Sequence, residues 1–281
     1  MADHPMIRLI VADLDGTLLN SEHCVTPMTE DAVRRAMAHG VLFTVATGKT
    51  FPSTTDLIQR FGITIPVICS NGTLVHAPDG TILKRSPIRR EYAIEAMQMA
   101  DEAGMVTVIY SGASLICRQY DRNLAELVEH GEPEPMLIQD LIGAVRTEID
   151  PDKIIFMNGD DLESVVRFQA ALEERFAGRA QAMRSGLASL VELIPLGVSK
   201  GTALDFILEV TGVSAAETIC FGDNCNDLEM IRCAGIGVAM AQAPDDVRKE
   251  ADFVTRSNDD DGVGYAVHKF VLSNSHGMRR A

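Results

Sequence analysis

The sequence predicts an α/β protein with a Rossmann-like, doubly wound parallel sheet and a second α/β domain inserted into it. Leu9–Ala12 is a short apolar run without polar alternation, which is typical of a strand buried on both faces. Strands also alternate with helices on both flanks of the chain, and this rhythm changes between them. We therefore expect a sheet domain at residues 1–84 and 194–281, and an inserted domain at residues 85–193.

Composition and charge exclude several classes of protein. The chain has 281 residues, of which 46% are hydrophobic and 23% charged, as in globular proteins with a substantial core. A formal net charge of −15 disfavours binding to nucleic acid or anionic membranes, which need a basic patch. No apolar run approaches the length of a membrane span or a secretory signal. We expect a cytoplasmic protein, monomeric or homodimeric, with a small-molecule partner.

The cysteines and histidines do not form metal-binding patterns. The six cysteines include no CxxC pair, and the seven histidines show no HxxxH or HxH spacing. We expect neither disulfides nor zinc.

The first flank predicts strands and helices in alternation after Leu9–Ala12. Thr26 and Pro27 are typical of a helix start, and Gly40 of its end. The other elements predicted here are a strand at 41–46, a helix at 52–61, a strand at 66–69 and a hairpin at 74–84.

The inserted block and the second flank complete the chain. The block predicts a helix at 91–103, strands at 105–110 and 115–119, a short helix at 123–130, a loop at 132–135, a strand at 153–157, a helix at 162–176, and strands at 181–184 and 190–194. The second flank predicts helices at 200–211, 228–233, 244–250 and 262–272, and strands at 218–221, 236–240 and 253–255. We expect the acidic segment at residues 258–261 to be a solvated turn, and the tail from Ser273 to be loose.

Two carboxylates follow the first predicted strand. Asp13 and Asp15 lie where a parallel strand delivers the chain to the carboxyl edge of the sheet, so they can converge on one cation or one reacting atom. An Asp-Gly pair could instead be a plain turn signal. A functional site is favoured because Thr47, Lys200 and the Asp223–Asp227 segment each follow another strand or begin a helix.

Lys200 and the second acidic segment each have a structural alternative. A cation in the first turn of a helix opposes the helix dipole by about 0.3–1 kcal/mol, which indicates a nearby anion. The alternative is an exposed lysine at a frayed helix end. The segment GDNCND at residues 222–227 could be a turn with a helix cap. That alternative does not account for similar chemistry after the first strand.

These residues resemble the motifs of the haloacid dehalogenase (HAD) superfamily phosphatases, in particular the Cof-type group, subfamily IIB, with a C2-type cap. DLDGT with Asp13 and Asp15 resembles the first motif, Thr47 the second, Lys200 the third, and GDNCND with Asp223 and Asp227 the fourth. Further matches in order and spacing are 70–72, 238–240, 251–255 and 262–263. The inserted block lies between the second and third motifs, where that group carries its cap.

The resemblance implies a Mg²⁺-dependent phosphatase with an aspartyl-phosphate intermediate. Asp13 would be the nucleophile, and Asp15 the general acid and then base. Mg²⁺ would bind Asp13, the main-chain carbonyl of Asp15 and Asp223, while Asp227 would help to hold the ion or orient Lys200. The implied phosphate-binding residues are Thr47, Gly48, Asn71, Lys200 and Asn226.

The implied substrate is a small phosphate monoester, such as a sugar phosphate or a related metabolite, because the cap excludes large polymers. We expect specificity to come from cap residues, with 184–186 as one place to look. Lys49, Cys225 and Gln242 depart from the residues usual in the group. Two rival functions stay open: a phosphomutase of the same fold, and a non-catalytic phosphosugar sensor.

Overall fold

The computed structural model describes residues 6–159, 161–184 and 189–273. Its strands are β1 Leu9–Ala12, β2 Leu42–Val45, β3 Val67–Cys69, β4 Leu74–His76, β5 Ile82–Arg85, β6 Val106–Ser111, β7 Ser114–Cys117, β8 Met136–Leu137, β9 Lys153–Met157, β10 Ala180–Met183, β11 Leu190–Pro195, β12 Thr218–Gly222, β13 Ile236–Ala239 and β14 Phe253–Val254. Its α-helices are α1 Pro27–Ala38, α2 Thr55–Phe61, α3 Arg90–Glu102, α4 Arg122–Glu129, α5 Leu141–Thr147, α6 Leu162–Arg175, α7 Lys200–Thr211, α8 Leu228–Cys233, α9 Asp245–Glu250 and α10 Gly262–Val267.

Most predicted elements agree with the structure within a few residues, but β8 and α5 were not predicted. Residues 185 and 186 of the segment named as a place to look for specificity, and the tail beyond Ser273, lie outside the described residues. Within the described residues, no helix combines the length and the apolar character needed to cross a membrane.

The chain folds as two compact units. Among the described residues, the first unit comprises 6–47, 57–68 and 200–273, and the second comprises Gly48–Asp56 and 69–199. The inserted domain expected from the sequence lies within the second unit, and its limits at residues 85 and 193 stay a prediction.

The first unit contains a five-stranded sheet in the order β14-β13-β12-β1-β2, with every neighbouring pair parallel. The side chains of β1 are fully buried, as its unbroken apolar run predicts. Thr26 caps α1 by accepting the Thr29 N–H at 3.3 Å, and Pro27 occupies the first turn. Helix α1 packs against α10, and α7 packs against α8.

The strand order reverses at the centre of this sheet. From β1 the chain moves to β2 on one side, and it later returns to β12 on the other side before reaching β13 and β14. In open α/β sheets, ligands bind outside the carboxyl ends of the strands at such a switch point. The residues that follow β1, β2 and β12 are therefore the place to look for a site.

The second unit contains a six-stranded sheet in the order β10-β11-β9-β6-β7-β8, which is antiparallel except between β7 and β8. Side chains alternate between its two faces. Ile109, Ile154 and Phe156 pack with apolar residues of α3, α5 and α6 on one face, whereas Val108 and Ile155 pack with residues of α4 on the other. The hairpin β4–β5 is also antiparallel.

Candidate active site

Two parallel strands end side by side at the candidate site. In β1 and β12, Ala12 lies opposite Phe221, and the Asp13 N–H donates to the Phe221 carbonyl at 3.0 Å. Asp13 and Asp223 therefore leave the sheet at the same edge. One carboxylate oxygen from each of Asp13, Asp223 and Asp227 lies within 4.8 Å of the other two.

The ammonium group of Lys200 joins two of these carboxylates. Its Nζ lies 2.5 Å from an Asp13 oxygen and 2.6 Å from an Asp227 oxygen. The lysine side chain is fully buried, which excludes the alternative of an exposed lysine at a frayed end. The two carboxylates supply the negative charge that a cation in the first turn of α7 requires.

Asp227 also orders the main chain around the site. One of its oxygens accepts from Lys200, and the other accepts the N–H groups of Asp223 and Asn224, both at 3.0 Å. Both oxygens are thus engaged, so this geometry favours a role in orienting Lys200 over direct metal binding. Asn226 lies half-buried in the same turn.

Gly16 and Thr17 fit closely around Asp223. Thr17 Oγ1 donates to the Asp223 carboxylate at 3.1 Å. Gly16 has a φ of +76°, and a Cβ added there would lie 2.5 Å from an Asp223 oxygen, so only glycine fits. The Gln242 side-chain amide donates to the Gly16 carbonyl. Gly16 and Thr17, which follow the first strand, therefore also help to position Asp223 of the second acidic segment.

Burial and neighbouring charges shift the pKa values of Asp13, Asp223 and Lys200. Burial raises the pKa of Asp13 well above its usual range, and the attraction of Lys200 offsets part of that rise. Burial, followed by the Asp227 carboxylate, raises the pKa of Asp223 to about 6. Burial alone would lower the pKa of Lys200, but Asp13 and Asp227 together raise it, so this lysine stays charged.

The donor set of this cluster fits a magnesium ion. When all three carboxyl groups are ionised and Lys200 is charged, the cluster has an excess of two negative charges, which a divalent cation would balance. Carboxylate oxygens are the hard ligands that Mg²⁺ prefers. Asp13 and Asp223 each use one oxygen in the hydrogen bonds described above, so each retains a second oxygen for a cation.

Asp15 is the accessible member of the predicted group. Its side chain is 40% exposed, and His23 Nδ1 lies 3.5 Å from one carboxylate oxygen. His23 itself has a left-handed backbone, with a φ of +55°. An accessible carboxyl beside the buried Asp13 is suited to exchanging protons with a leaving group and with water.

The acidic turn at 258–261 has a larger role than a solvated turn. Asp259 accepts the Ser21 N–H at 2.8 Å and the Ser21 hydroxyl at 2.7 Å. Asn258 donates to the Leu19 carbonyl at 3.0 Å, and Asp261 accepts from the Thr26 hydroxyl. Asp259 and Asp260 are exposed, whereas Asn258 and Asp261 are half-buried, and side chains of the turn fix the loop that carries His23.

Thr47 follows the strand on the other side of β1. The Ala46 N–H donates to the Ala12 carbonyl at 2.9 Å, and the Thr47 N–H donates to the Ile68 carbonyl at 2.9 Å. Thr47 is buried, and it leaves the sheet at the same edge as Asp13.

Gly48 and Asn71 belong to the second unit and lie against each other. A Cβ added to Gly48 would be 3.1 Å from the Asn71 side-chain oxygen. Asn71 has a left-handed backbone with a φ of +56°, and its Nδ2 donates to Glu192 at 2.5 Å. The structure therefore gathers the predicted residues as two groups, one in each unit.

Sequence analysis missed several residues that support the site. The role of Thr17 could have been predicted because the residue lies inside the DLDGT motif. Gln242 was noted only as a departure from the family pattern. His23 and Asp259 carry no local signal, since each acts through a partner distant in the sequence or in an irregular loop.

A family model described as haloacid dehalogenase-like hydrolase matches residues 10–267. Phosphatase YwpJ of Bacillus subtilis (strain 168) is 28% identical over 280 residues, which cover 92% of this chain and 98% of YwpJ. A chloroplastic Arabidopsis thaliana protein named endoribonuclease YBEY is 29% identical over 280 residues, covering 95% of this chain but 47% of that protein. The chain thus spans about half the length of this relative.

A solved structure, a haloacid dehalogenase-like hydrolase from B. subtilis, has the same fold. The TM-score is 0.84 at 26% identity, and the alignment covers 94% of this chain and 100% of that one. This similarity confirms the predicted fold class, a Rossmann-like parallel sheet with a further α/β part.

Proposed function

The chain belongs to the family of haloacid dehalogenase-like hydrolases, and we infer that it is a Mg²⁺-dependent phosphatase that acts through an aspartyl-phosphate. The broader activity, hydrolysis of phosphate monoesters, follows from the family and its named phosphatases. One observation carries the finer inference. Lys200 contacts both Asp13 and Asp227 inside the three-carboxylate cluster. Phosphoryl transfer needs a positioned anionic nucleophile beside fixed positive charge.

In the first proposed step, Asp13 attacks the phosphorus atom in line with the leaving oxygen. A bond forms between the Asp13 carboxylate and phosphorus, the ester P–O bond breaks, and Asp15 gives its proton to the leaving alkoxide. The ion pair with Lys200 favours the ionised form of Asp13 and offsets charge on the phosphoryl oxygens.

In the second step, Asp15 acts as a base. It takes a proton from a water molecule, whose oxygen attacks the phosphorus atom. The bond between phosphorus and Asp13 breaks, inorganic phosphate leaves, and both carboxyl groups return to their starting states. The exposure of Asp15 supports this role, because the group must meet an alcohol in one step and water in the next.

Binding of phosphate is assigned to the polar groups at the strand ends. Thr47, the Gly48 N–H and Lys200 would contact the phosphoryl oxygens, with Asn71 and Asn226 as further contacts. Mg²⁺ would be held by Asp13, the Asp15 main-chain carbonyl and Asp223, with Asp227 in support. When bound, the ion supplies neutralisation of the phosphoryl charge.

Small phosphorylated metabolites, such as sugar phosphates, are the proposed substrates. The experiment is a screen of such esters for phosphate release, with Mg²⁺ and with a chelator, using wild type, Asp13→Asn and the surface variant Asp31→Asn as a matched control. We expect the wild-type protein to hydrolyse several esters when Mg²⁺ is present and none when it is chelated. Asp13→Asn should show no turnover, and Asp31→Asn should show wild-type rates. Turnover unaffected by chelator would contradict the metal assignment.

The same screen separates the two rival functions. A phosphomutase would need a bisphosphate activator and would release little free phosphate. A phosphosugar sensor would bind esters without releasing phosphate, and Asp13→Asn would leave that binding largely intact. Release of stoichiometric phosphate without an activator contradicts both.

A further inference from the structure

One face of the second unit's sheet carries polar side chains among apolar ones. Three polar residues, Tyr110 on β6, Lys153 on β9 and Glu192 on β11, each lie two residues along the strand from an apolar one. These apolar residues are Val108, Ile155 and Leu190, so all six side chains point to the same face of the sheet. Lys153 Nζ lies 4.1 Å from the Tyr110 ring centroid and 3.3 Å from a Glu192 oxygen. All three side chains are buried.

The Lys153–Glu192 ion pair holds two residues of the proposed phosphate site. Lys153 Nζ donates to the Gly48 carbonyl at 2.7 Å, and Glu192 accepts the Asn71 amide at 2.5 Å. Ser70 and Asn71 are consecutive non-glycine residues with left-handed backbones, at φ of +49° and +56°. Such backbones are strained for residues with a side chain and persist only where surrounding contacts hold them.

Glu132 binds two residues that follow Gly48 closely in the chain. Its carboxylate accepts the Thr50 N–H at 3.1 Å, the Thr50 hydroxyl at 2.6 Å and the Ser53 hydroxyl at 2.9 Å. Burial raises the pKa of Tyr110, and the negative charge of Glu132 adds to that rise. Tyr110 therefore lies close to Glu132 as well as to Lys153.

We infer that Tyr110, Glu132, Lys153 and Glu192 form a positioning network that fixes Gly48 and Asn71 for binding phosphate. The inference rests on the proposed function, which assigns those two residues to the phosphate. Tyr110, Lys153 and Glu192 lie on strands of the second unit and Glu132 lies in a loop. Their contacts end on Asn71 and on the segment that directly follows Thr47 in the chain. Lys153 and Glu192 therefore act through other groups, as positioning residues, and are not proposed to touch the substrate.

A positioning role for Lys153 and a role in recognising the leaving group predict different effects when the lysine is removed. If Lys153 positions the phosphate site, its loss weakens binding of every phosphate ester by a similar factor, and of inorganic phosphate as well. If Lys153 instead recognises the leaving group, the change depends on the ester and spares inorganic phosphate.

The test measures inhibition by inorganic phosphate, and KM for p-nitrophenyl phosphate and glycerol phosphate, in wild type and Lys153→Met. The matched control is Arg85→Met, which removes a different ion pair to a buried carboxylate, Arg85–Asp152, in the same unit. We expect Lys153→Met to raise the phosphate inhibition constant and both KM values by about tenfold, the loss of roughly one charged hydrogen bond. Arg85→Met should leave all three constants near wild type.

A second variant covers the case in which Lys153→Met does not fold, since breaking a buried ion pair is strongly destabilising. Glu192→Gln keeps an oxygen to accept from Asn71 but removes the charge that pairs with Lys153. We expect about a threefold rise in the same three constants. A folded Lys153→Met or Glu192→Gln protein with unchanged phosphate inhibition, or with a rise in KM for only one ester, would overturn the inference.

Failure of the proposed function gives a different result. In that case the wild-type protein neither releases phosphate nor binds inorganic phosphate in the presence of Mg²⁺. An active, phosphate-inhibited wild type with unaffected Lys153 and Glu192 variants contradicts the positioning network alone.

Discussion

The two units each contain a buried lysine, and the surroundings of these lysines differ. Lys200 lies between Asp13 and Asp227, with Asp223 nearby, so its cluster keeps an excess of negative charge. Lys153 pairs with Glu192 and a main-chain carbonyl, and the neighbouring Glu132 accepts hydrogen bonds from Thr50 and Ser53. In the first cluster, Asp13 and Asp223 each retain a carboxylate oxygen that can bind a cation, whereas the carboxylates of the second accept hydrogen bonds from protein groups. Burial of charge therefore does not by itself mark a site; carboxylate oxygens that remain available to a cation do.

Removal of Lys200 should produce the largest effect in this comparison. Lys200→Met leaves Asp13 and Asp227 buried without their cation, so we expect a loss of about 3–5 kcal/mol in the free energy of unfolding at neutral pH. Phosphate release should fall by at least about 1,000-fold. Urea unfolding and a phosphate assay measure both. The control Lys249→Met removes an exposed lysine and should change stability by less than about 0.5 kcal/mol. Equal effects of the two variants would contradict the account.

Asp15→Asn tests whether the accessible carboxyl is the acid. It should lower kcat/KM for glycerol phosphate by about 100-fold or more, because the alkoxide leaves poorly without a proton. p-Nitrophenolate leaves readily without one, so kcat/KM for p-nitrophenyl phosphate should fall much less. Thermal unfolding should be close to wild type, since the side chain is 40% exposed. An equal loss for both esters would argue against proton donation.

The titration of Asp223 should make the stability of the first unit depend on pH. Its folded pKa of about 6 lies above the ordinary 3.8, so its favourable contribution to stability is complete below pH 3.8 and is lost as the pH rises through 6. In metal-free protein, Asp223→Asn should therefore raise stability at pH 7.5 by roughly 1–3 kcal/mol, with a smaller gain at pH 5.

Mg²⁺ should oppose this loss of stability at higher pH in the wild-type protein. Because the ion binds the ionised carboxylates, it should raise the unfolding temperature more at pH 7.5 than at pH 5, and Asp223→Asn should reduce that response. Calorimetry with Mg²⁺ or chelator measures it. A Mg²⁺ response that is independent of pH would contradict the charge argument.

The smallest effect is expected at the acidic turn. Two hydrogen bonds from Ser21 lower the pKa of Asp259, so its contribution to stability is present at neutral pH and is lost in strongly acidic solution. Asp259→Ala should lower the unfolding temperature slightly at neutral pH. Asp260→Ala is the matched control, because Asp260 bonds Ser257 within the same turn. Identical results for the two variants would contradict the role of Asp259 in holding the loop.

The first unit was predictable because its chemistry follows its strands. Asp13, Thr47 and Asp223 each come directly after a buried apolar run, and a parallel sheet brings such strand ends to one edge. Lys200 was predictable from its conflict with the helix dipole. The family resemblance added the roles of these residues.

The second unit was predicted as elements but not as contacts. Lys153 and Glu192 lie in apolar strands, where sequence shows that a charge is present but not which partner neutralises it. Gly48 is 105 residues from its partner Lys153, and Asn71 is 121 residues from its partner Glu192. The short helix α5 and the two-residue strand β8 were missed because so few residues carry no clear period.

The most direct test of the account is to trap the phosphorylated enzyme. Wild type is mixed with Mg²⁺ and a radiolabelled monoester found in the screen, quenched in acid within one turnover, and mapped by peptide. The account predicts label on the peptide containing Asp13, removable by hydroxylamine, and absent from Asp13→Asn and from chelated protein. Label on another residue, or rapid phosphate release with no labelled protein at any time within the first turnover, would contradict it.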